Sequence, residues 1–204
     1  RRLKIGFCRV NELGPLHPDT VDVVSRVADQ LANLGHRVTE SHPERLFDKD
    51  VLDRWSFIYA TVVGNLFKAV KRGYGYELTE KDVERGTWVD YMRYKDSSLQ
   101  EYLATVALFN SFSREIGQWW HGEEGFDVLI TPTSARPAPV LGDLVSNPDD
   151  RTYLWANTFT YTSQFNFSGQ PAVSLPLGES SEGLPIGVQL VGRYGDEQTL
   201  IQLA

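Results

Sequence analysis

The side chains best suited to chemistry lie in one short polar segment that precedes an apolar run. Asn166, Ser168 and Gln170 place two amides and a hydroxyl around Gly169, where the backbone can approach a ligand closely. The same residue types also commonly satisfy their own backbone at the entrance to a strand. Residues 172–177 are short, apolar and bounded by prolines, which predicts a buried strand. The residue types alone leave a pocket wall and a strand entrance both open.

Familiar catalytic and metal-binding motifs are absent from the sequence. It contains no Gly-x-Ser-x-Gly nucleophile turn and no glycine-rich loop with Lys and Ser or Thr for phosphate. The four histidines lack the spacing of metal ligands: His17, His36, His42 and His121. The Asp149-Asp150 pair is more typical of a helix cap than of an acid/base pair. We therefore expect no catalytic residue, no metal site and no cofactor within these residues.

Composition narrows the classes of partner. The 204 residues are 41% hydrophobic and 23% charged, which fits one ordinary globular domain. The net charge of -7 disfavours nucleic acid and anionic membranes, so a small-molecule ligand is expected. Cys8 is the only cysteine, which indicates a packed, reduced thiol. With no leader peptide and no apolar run of about 18 residues, a cytoplasmic protein is expected.

The first 46 residues predict a β-α-β unit. Residues 3–10 are apolar on both faces, as in an interior strand, and residues 37–40 form a second short strand. Between them, apolar residues at helical spacing follow Pro18 and stop at Gly35. The right-handed crossover rule predicts that the two strands are parallel.

Residues 47–122 predict a helical segment. One apolar stripe runs from Trp55 to Val70 and a second from Leu99 to Ile116, with a shorter helix at 82–94 between them. Most of the many aromatic side chains here are expected to pack between helices.

Residues 123–204 predict the remaining strands. Residues 126–133 form a strand that brings Thr131 and Thr133 to its carboxyl end, where open α/β sheets bind ligands. Residues 151–164 predict a helix, and the last two strands predict an antiparallel hairpin with a long loop at 179–185. In that hairpin, Ile186, Val188 and Leu190 alternate with other residues, and Asp196 caps a final helix.

Taken together, these segments resemble the C-terminal half of the amidase signature family. The segments that carry this resemblance are Phe126-Asp-Val-Leu-Ile-Thr-Pro-Thr133, Tyr161-Thr-x-x-Phe-Asn166, Gly169-Gln-Pro-Ala-Val-Ser-Leu-Pro176, Gly183-Leu-Pro-Ile-Gly-Val-Gln-Leu-Val-Gly192 and Glu197. Residues 3–7 and 34–39 also fit, whereas the resemblance is weakest across 47–121. It implies an α/β fold, a mixed β-sheet flanked by helices, and within the family it is nearest to bacterial broad-substrate amidases.

The resemblance implies a reaction whose nucleophile lies elsewhere. Family members use a Ser, cis-Ser, Lys triad in a Gly/Ser-rich signature to hydrolyse amides through an acyl-enzyme. No such signature occurs here, so the triad is expected upstream of Arg1. The chain is thus expected to be the C-terminal half of an amidase, inactive alone. Two alternatives stay open: a transfer-RNA amidotransferase subunit or urea-derivative hydrolase, and a non-catalytic binding or scaffold module.

The resemblance also implies which side chains line the acyl pocket. Ala156, Phe159 and Ser163 stand at i, i+3 and i+7 on the predicted helix, and Phe159 is the first candidate. Plain core packing explains Phe159 equally well. Thr131 and Thr133 are second candidates. An uncovered sheet edge would favour a homodimer or self-association through the exposed face.

Overall fold

The computed structural model describes residues 1–122, 125–146, 153 and 155–204. The predicted cap at Asp149-Asp150 lies outside these residues. The elements follow in this order: β1 (Lys4–Phe7), α1 (Pro18–Asn33), β2 (Arg37–Glu40), α2 (Lys49–Tyr74), α3 (Arg85–Tyr94), α4 (Leu99–His121), β3 (Val128–Pro132), a 3-10 turn (Asp143–Val145), a π-helix (Trp155–Phe159), α5 (Ser163–Ser168), β4 (Ala172–Glu179), β5 (Pro185–Val191) and α6 (Glu197–Leu203).

The five strands form one mixed sheet in the order β2-β1-β3-β5-β4. β1 is parallel to both of its neighbours, and β5 is antiparallel to β3 and to β4. The predicted parallel β-α-β unit, the interior position of β1 and the terminal antiparallel hairpin are therefore confirmed. The α/β class with a mixed sheet is confirmed as well.

Local signals account for the first crossover. The His17 side chain accepts a hydrogen bond from the Asp19 amide, and Pro18 occupies the first helical turn, where no backbone donor is lost. Gly35 adopts a φ of 93°, so the chain turns out of α1 directly into β2. α1 buries Val23, Val24 and Val27.

The three helices predicted between residues 47 and 122 are present. The Asp48 carboxylate caps α2, which ends at Gly75 with a φ of 66°. α4 begins with a reciprocal capping box between Ser98 and Glu101. Within the described residues, no helix combines the length and apolar character that crossing a bilayer requires.

β3 contributes to two apolar clusters because successive strand residues face opposite sides of the sheet. Val128 and Ile130 join the cluster that packs α1 onto the sheet. Leu129 joins the other cluster, which contains Phe112 and Trp120 of α4. The α1 side and the helical side of the sheet are thus two separate hydrophobic cores.

β4 differs from the buried strand that the apolar run predicts. It is the last strand in the sheet order, its residues alternate between half-buried and exposed, and Leu177 is 45% exposed. With a partner on one side alone, an edge strand is less covered than an interior one. The loop predicted at 179–185 spans residues 180–184, because each strand extends by one residue.

The continuous helix predicted over 151–164 is wrong in its described part. The chain forms a π-helix at Trp155–Phe159, turns at 160–162 and then enters α5. Contacts from the loop after β1 accompany this break. The Asn11 side-chain amide donates to the Ala156 carbonyl at 2.8 Å, and the Tyr161 hydroxyl donates to the Val10 carbonyl at 2.7 Å. Such long-range bonds override the local helical pattern.

Candidate functional site

The carboxyl end of β3 carries Thr133 into a polar junction with β4 and β5. The Thr133 amide donates to the Gly187 carbonyl at 2.9 Å, and its hydroxyl lies 2.6 Å from that of Ser174. A β-carbon at Gly187 would lie 2.8 Å from the Thr133 Oγ1 and 2.9 Å from the Ser174 Oγ. Gly187 is therefore the residue that lets these two hydroxyls meet above the sheet.

A cavity of about 170 Å³ lies at this end of the sheet, and we call it the inner cavity. The side chains that define it are Thr133, Ser134, Arg136, Thr158 and Ile186. The prolines of the 136–139 loop close one side. Three hydroxyls, one guanidinium and an apolar floor give the mixed lining that is typical of a small-molecule pocket.

A second, larger cavity adjoins the same loop. This outer cavity has a volume of about 340 Å³ and is lined by residues that include His17, Asp19, Arg136, Asp143 and Glu182. The Asp19 carboxylate accepts from the Ser181 amide at 2.8 Å and from its hydroxyl at 2.9 Å. These bonds lower the pKa of Asp19, the backbone bond being the larger cause and His17 adding a small contribution.

The π-helix carries two of the predicted pocket residues. Phe159 is 40% exposed, so its ring is not wholly taken up by core packing. Ala156 is half-buried, and its β-carbon would lie 3.0 Å from a β-carbon built on Gly14. Because the helix breaks after Phe159, the regular i, i+3, i+7 face expected for Ala156, Phe159 and Ser163 is not formed.

Ser163 and Thr131 are both enclosed by protein. Ser163 is 2% exposed, and its hydroxyl donates to the Phe159 carbonyl at 2.9 Å. Thr131 is fully buried, and its hydroxyl accepts from the Gln189 side-chain amide at 3.0 Å. The same amide donates to the Tyr161 carbonyl at 2.7 Å. The hydroxyls of Ser163 and Thr131 therefore form hydrogen bonds inside the protein, whereas Thr133 lines the inner cavity.

Thr158 is a cavity residue that the sequence pattern does not identify. In a regular helix over 151–164, Thr158 would lie next to the face that carries Ala156, Phe159 and Ser163, but not on it. The wider turn of the π-helix changes the direction of Thr158 relative to that face. The Ser134 hydroxyl donates to the Asn157 carbonyl at 3.0 Å, which ties the π-helix to the loop after β3. The π-helix therefore carries Thr158 into the lining of the inner cavity, which Thr133 also lines.

Arg136 is the second residue that sequence reasoning missed. Its guanidinium donates to the Asp143 carboxylate and lies 5.2 Å from the centroid of the Tyr153 ring. The Tyr153 hydroxyl donates to the same carboxylate oxygen at 2.8 Å. These bonds lower the pKa of Asp143, with the Tyr153 bond the larger cause and the Arg136 bond next. The loop thus holds an ionised Asp143 and an oriented cation beside both cavities.

The polar segment before β4 satisfies its own surroundings. The Ser168 hydroxyl donates to the Gln170 side-chain oxygen at 3.0 Å, and the Gln170 amide donates to the Gly192 carbonyl at 3.0 Å. Both residues also line a separate groove of about 310 Å³ beside the end of α4. The hydrogen bonds favour the strand-entrance interpretation for these side chains. In the described part of the chain, no three His, Cys, Asp or Glu residues are grouped to hold a metal ion.

Comparisons with known proteins give consistent matches over the whole length. The model of the family described as "Amidase" matches residues 1–201. A 6-aminohexanoate-cyclic-dimer hydrolase from Paenarthrobacter ureafaciens is 34% identical over 212 aligned residues, which cover 99% of this chain and 43% of the relative. The solved structure of a 6-aminohexanoate cyclic dimer hydrolase complexed with substrate superposes with a TM-score of 0.88 at 33% identity, covering 99% of this chain and 44% of that one.

A relative of another kind also matches. A glutamyl-tRNA(Gln) amidotransferase subunit from Bdellovibrio bacteriovorus is 28% identical, and the match covers 99% of this chain and 44% of the relative. The chain therefore spans less than half the length of these relatives.

Proposed function

This chain belongs to the amidase family, and we propose that it supplies the acyl-binding side of an enzyme that hydrolyses C–N bonds in linear or cyclic amides. The observation that carries the proposal is the likeness to a cyclic-amide hydrolase in both sequence and structure, since 34% identity and a TM-score of 0.88 accompany 99% coverage of this chain. The inner cavity at the carboxyl end of β3 supports it, because open α/β sheets bind ligands beyond that edge.

We propose that the nucleophile comes from outside residues 1–204. The sequence contains no Gly/Ser-rich signature, and the relatives are more than twice as long as the aligned region. In the proposed reaction a serine activated by a lysine attacks the amide carbonyl, and water releases the acyl-enzyme. The residues described here bind the acyl group and exclude bulk water from it.

The proposed acyl contacts are Phe159, Ala156, Thr133 and Thr158. Phe159 presents an exposed ring on the π-helix, and the two threonines are lining residues of the inner cavity. Thr131 and Ser163 act in this proposal through their buried hydrogen bonds, which hold the segments that carry Thr133 and Phe159. The hydroxyl-lined cavity suits an amide group, and the partly exposed Phe159 ring, which does not itself line that cavity, suits an aliphatic chain.

Ammonia production within an amidotransferase is the second candidate function, which the 28% identity to a glutamyl-tRNA(Gln) amidotransferase component favours. An enzyme of that class would release ammonia for a partner protein rather than act alone. Copurification of the full-length protein with stoichiometric partner chains, and amide turnover that requires them, would select this candidate.

Steady-state kinetics of the full-length protein test the proposed function. We expect hydrolysis of 6-aminohexanoate cyclic dimer or of simple linear amides by the full-length protein, and no turnover by residues 1–204 alone. Amide hydrolysis that copurifies with residues 1–204 alone would refute the assignment. So would a full-length protein that turns over no amide.

A Phe159→Ala variant tests the acyl contact. Losing the ring should raise KM about tenfold, because a partly exposed aromatic contact contributes roughly 1.4 kcal/mol, within the range for apolar side chains. Leu34→Ala is the control, since Leu34 is 75% exposed beyond the end of α1 and should leave KM unchanged. Equal kinetics for the two variants would remove Phe159 from the site.

Two further proposals concern the state of the protein. We propose a cytoplasmic location, in which the single buried thiol of Cys8 would stay reduced, and subcellular fractionation tests it. We also propose self-association, which the exposed apolar side chains on α2 and α4 favour. A monomeric mass by light scattering at tens of micromolar, on the order of association-prone concentrations, would contradict it.

A further inference from the structure

Arg136 lines the inner cavity. Among the described residues that line the cavity, it alone has an ionisable side chain, and the others are small, hydroxylated or apolar. Its side chain is 25% exposed, and its buried Nε has no hydrogen-bond partner among the described residues. Although Asp143 already pairs with this cation, the remaining donors can attract a second anionic partner.

The Arg136 side chain is held in place rather than free to fold away. Its Nη2 donates to Asp143, and its guanidinium lies over the Tyr153 ring. A guanidinium has five N–H donors, and the Asp143 contact engages only one edge of the group. Stacking on an aromatic ring leaves the in-plane donors directed outward. The group is therefore oriented before a ligand arrives, which reduces the entropy cost of binding.

The Asp143 carboxylate lies on the outer side of this arrangement. It lines the outer cavity together with Asp19 and Glu182, whereas the inner cavity has no carboxylate among its described lining residues. Four loop residues line both cavities: Arg136, Pro137, Ala138 and Pro139. An anion in the inner cavity would therefore reach Arg136 in a space whose described lining contains no carboxylate.

We propose that Arg136 binds a carboxylate in the inner cavity, so that the preferred substrates are amides whose short acyl group ends in a free carboxylate. This inference rests on the proposed function, because it assigns the acyl group to this cavity. A planar carboxylate fits the donor fork of a guanidinium better than a neutral amide does. Thr133 and Thr158 line the same space, and the Thr133 hydroxyl lies 2.6 Å from that of Ser174.

The cavity volume limits the length of the acyl chain. At about 30 Å³ for each water-sized group, a volume of about 170 Å³ holds roughly five to six non-hydrogen atoms. A carboxylate takes three of these, which leaves room for two or three methylenes. The two methylenes and the terminal carboxylate of a succinyl group therefore fit the cavity, with the reacting carbonyl outside it, and longer dicarboxylic acyl groups are expected to fit less well.

Asp143 competes with the proposed ligand for the same guanidinium. Asp143→Asn removes the competing charge and keeps the size of the side chain, so it should strengthen carboxylate binding. Arg136→Gln removes the cation and should weaken carboxylate binding. The two substitutions at one hydrogen-bonded pair thus have opposite expected effects, which a loss of folding cannot imitate.

The test uses full-length protein and two matched amides. N-(4-nitrophenyl)succinamate and N-(4-nitrophenyl)butyramide release the same chromophore, and the first has a carboxylate where the second has a methyl group. We expect Arg136→Gln to lower the succinyl-to-butyryl ratio of kcat/KM at least tenfold, and Asp143→Asn to raise it several-fold. Arg9→Gln is the control, because it removes a cation from an exposed ion pair with Glu40 outside the cavity and should leave the ratio unchanged. An unchanged ratio in both charge variants would overturn the inference.

A binding measurement separates this inference from the proposed function. In calorimetric titrations, butyrate should bind the wild-type protein at least tenfold more tightly than butyramide, and Arg136→Gln should abolish the difference. If no amide is hydrolysed but butyrate binding depends on Arg136, the proposed function fails and the carboxylate site stands. If amides are hydrolysed and butyrate binding does not depend on Arg136, the carboxylate site fails alone. Arg136→Lys keeps the charge and should restore part of the preference if Arg136→Gln folds poorly.

Discussion

The sheet and the helical segment bury their apolar residues to very different extents. All five residues of β3 are buried, as are five of the seven residues of β5. In α3, by contrast, Asp90 is the only buried residue. Large apolar side chains on one face of α2 are more than a third exposed: Tyr59, Val62 and Leu66. The N-terminal turns of α4 show the same exposure at Leu99, Tyr102 and Leu103.

This difference in burial shows which part of the molecule is stabilised by contacts within residues 1–204. The central strands have hydrogen-bonded neighbours on both sides and an apolar cluster on each face. The helical segment is joined to the rest largely through aromatic pairs, such as the stacked rings of Phe109 and Phe167 at 4.1 Å. We therefore expect substitutions in the sheet to reduce stability strongly. Substitutions on the outer helical faces should change stability little.

The largest contrast is expected between Ile130→Ala and Val62→Ala. Ile130 is fully buried in β3, and its truncation should cost about 2–5 kcal/mol of unfolding free energy through lost burial and a new cavity. Val62 is 62% exposed, so its truncation should change stability by no more than about 0.5 kcal/mol. Urea unfolding of the full-length protein measures both. A cost for Val62→Ala as large as that for Ile130→Ala would mean that the α2 face is covered in the protein.

Gln189→Leu probes the polar part of the sheet. The substitution keeps the size of the side chain but removes the buried amide that donates to the Thr131 hydroxyl and to the Tyr161 carbonyl, although Thr131 keeps its bond to the Pro132 carbonyl. We expect a loss of about 1–3 kcal/mol, because unsatisfied buried polar groups are costly. Gln118→Leu on α4 is the matched control, since Gln118 is exposed and should change stability little. Similar midpoints for the two variants would contradict the role of Gln189.

One glycine in the sheet and one in the helical segment allow the stability of the two regions to be compared after the addition of a single methyl group. Gly187→Ala in β5 would place a methyl group 2.8 Å from the Thr133 Oγ1, so we expect a loss of about 1–3 kcal/mol from overpacking and a broken hydroxyl pair. Gly73→Ala in α2 meets no atom within 4 Å and should stabilise the protein by about 0.5–1 kcal/mol. Thermal melting should therefore shift in opposite directions. Shifts of the same sign would undermine the contrast.

Alkaline pH tests whether the core between the two regions excludes water. Burial raises the pKa of the Cys8 thiol to about 12, against about 8.5 in an unfolded chain. The unfolded state therefore loses its proton first, and stability should fall as pH rises from about 8.5 towards 12. Burial raises the pKa of Tyr161 as well, which adds to the fall at higher pH. Cys8→Ala should flatten the first part of this dependence, and an identical slope would place the thiol in contact with solvent.

Much of the fold follows from local signals that the sequence displays. The ends of α1 depend on Pro18 and Gly35, and the start of α4 on Ser98 and Glu101, all within one turn of the element that they delimit. The signals at Pro18 and Gly35, together with the spacing of apolar residues, predicted the parallel unit, the three helical segments and the final hairpin. The exposure of β4 was not predicted, because an apolar run does not reveal which strand lies at a sheet edge.

The candidate site was less predictable, because its geometry depends on contacts far apart in sequence. Asn11 and Tyr161 join the loop after β1 to the π-helix across about 150 positions. A helical wheel over 151–164 selects Phe159 but misses Thr158, whose place in the cavity depends on the π-turn. The sequence pattern also missed Arg136, because its spacing from Asp143 and from Tyr153 does not indicate that the three side chains are in contact.

Labelling of the full-length protein with a fluorophosphonate probe tests the central claim most directly. The probe forms a covalent adduct with an activated serine, and mass spectrometry of the digested protein locates it. If residues 1–204 form the wall of an acyl pocket whose nucleophile lies elsewhere, the adduct maps outside these residues and labelling is suppressed by an amide substrate. An adduct on any serine within residues 1–204, formed in parallel with loss of amide hydrolysis, would contradict the account.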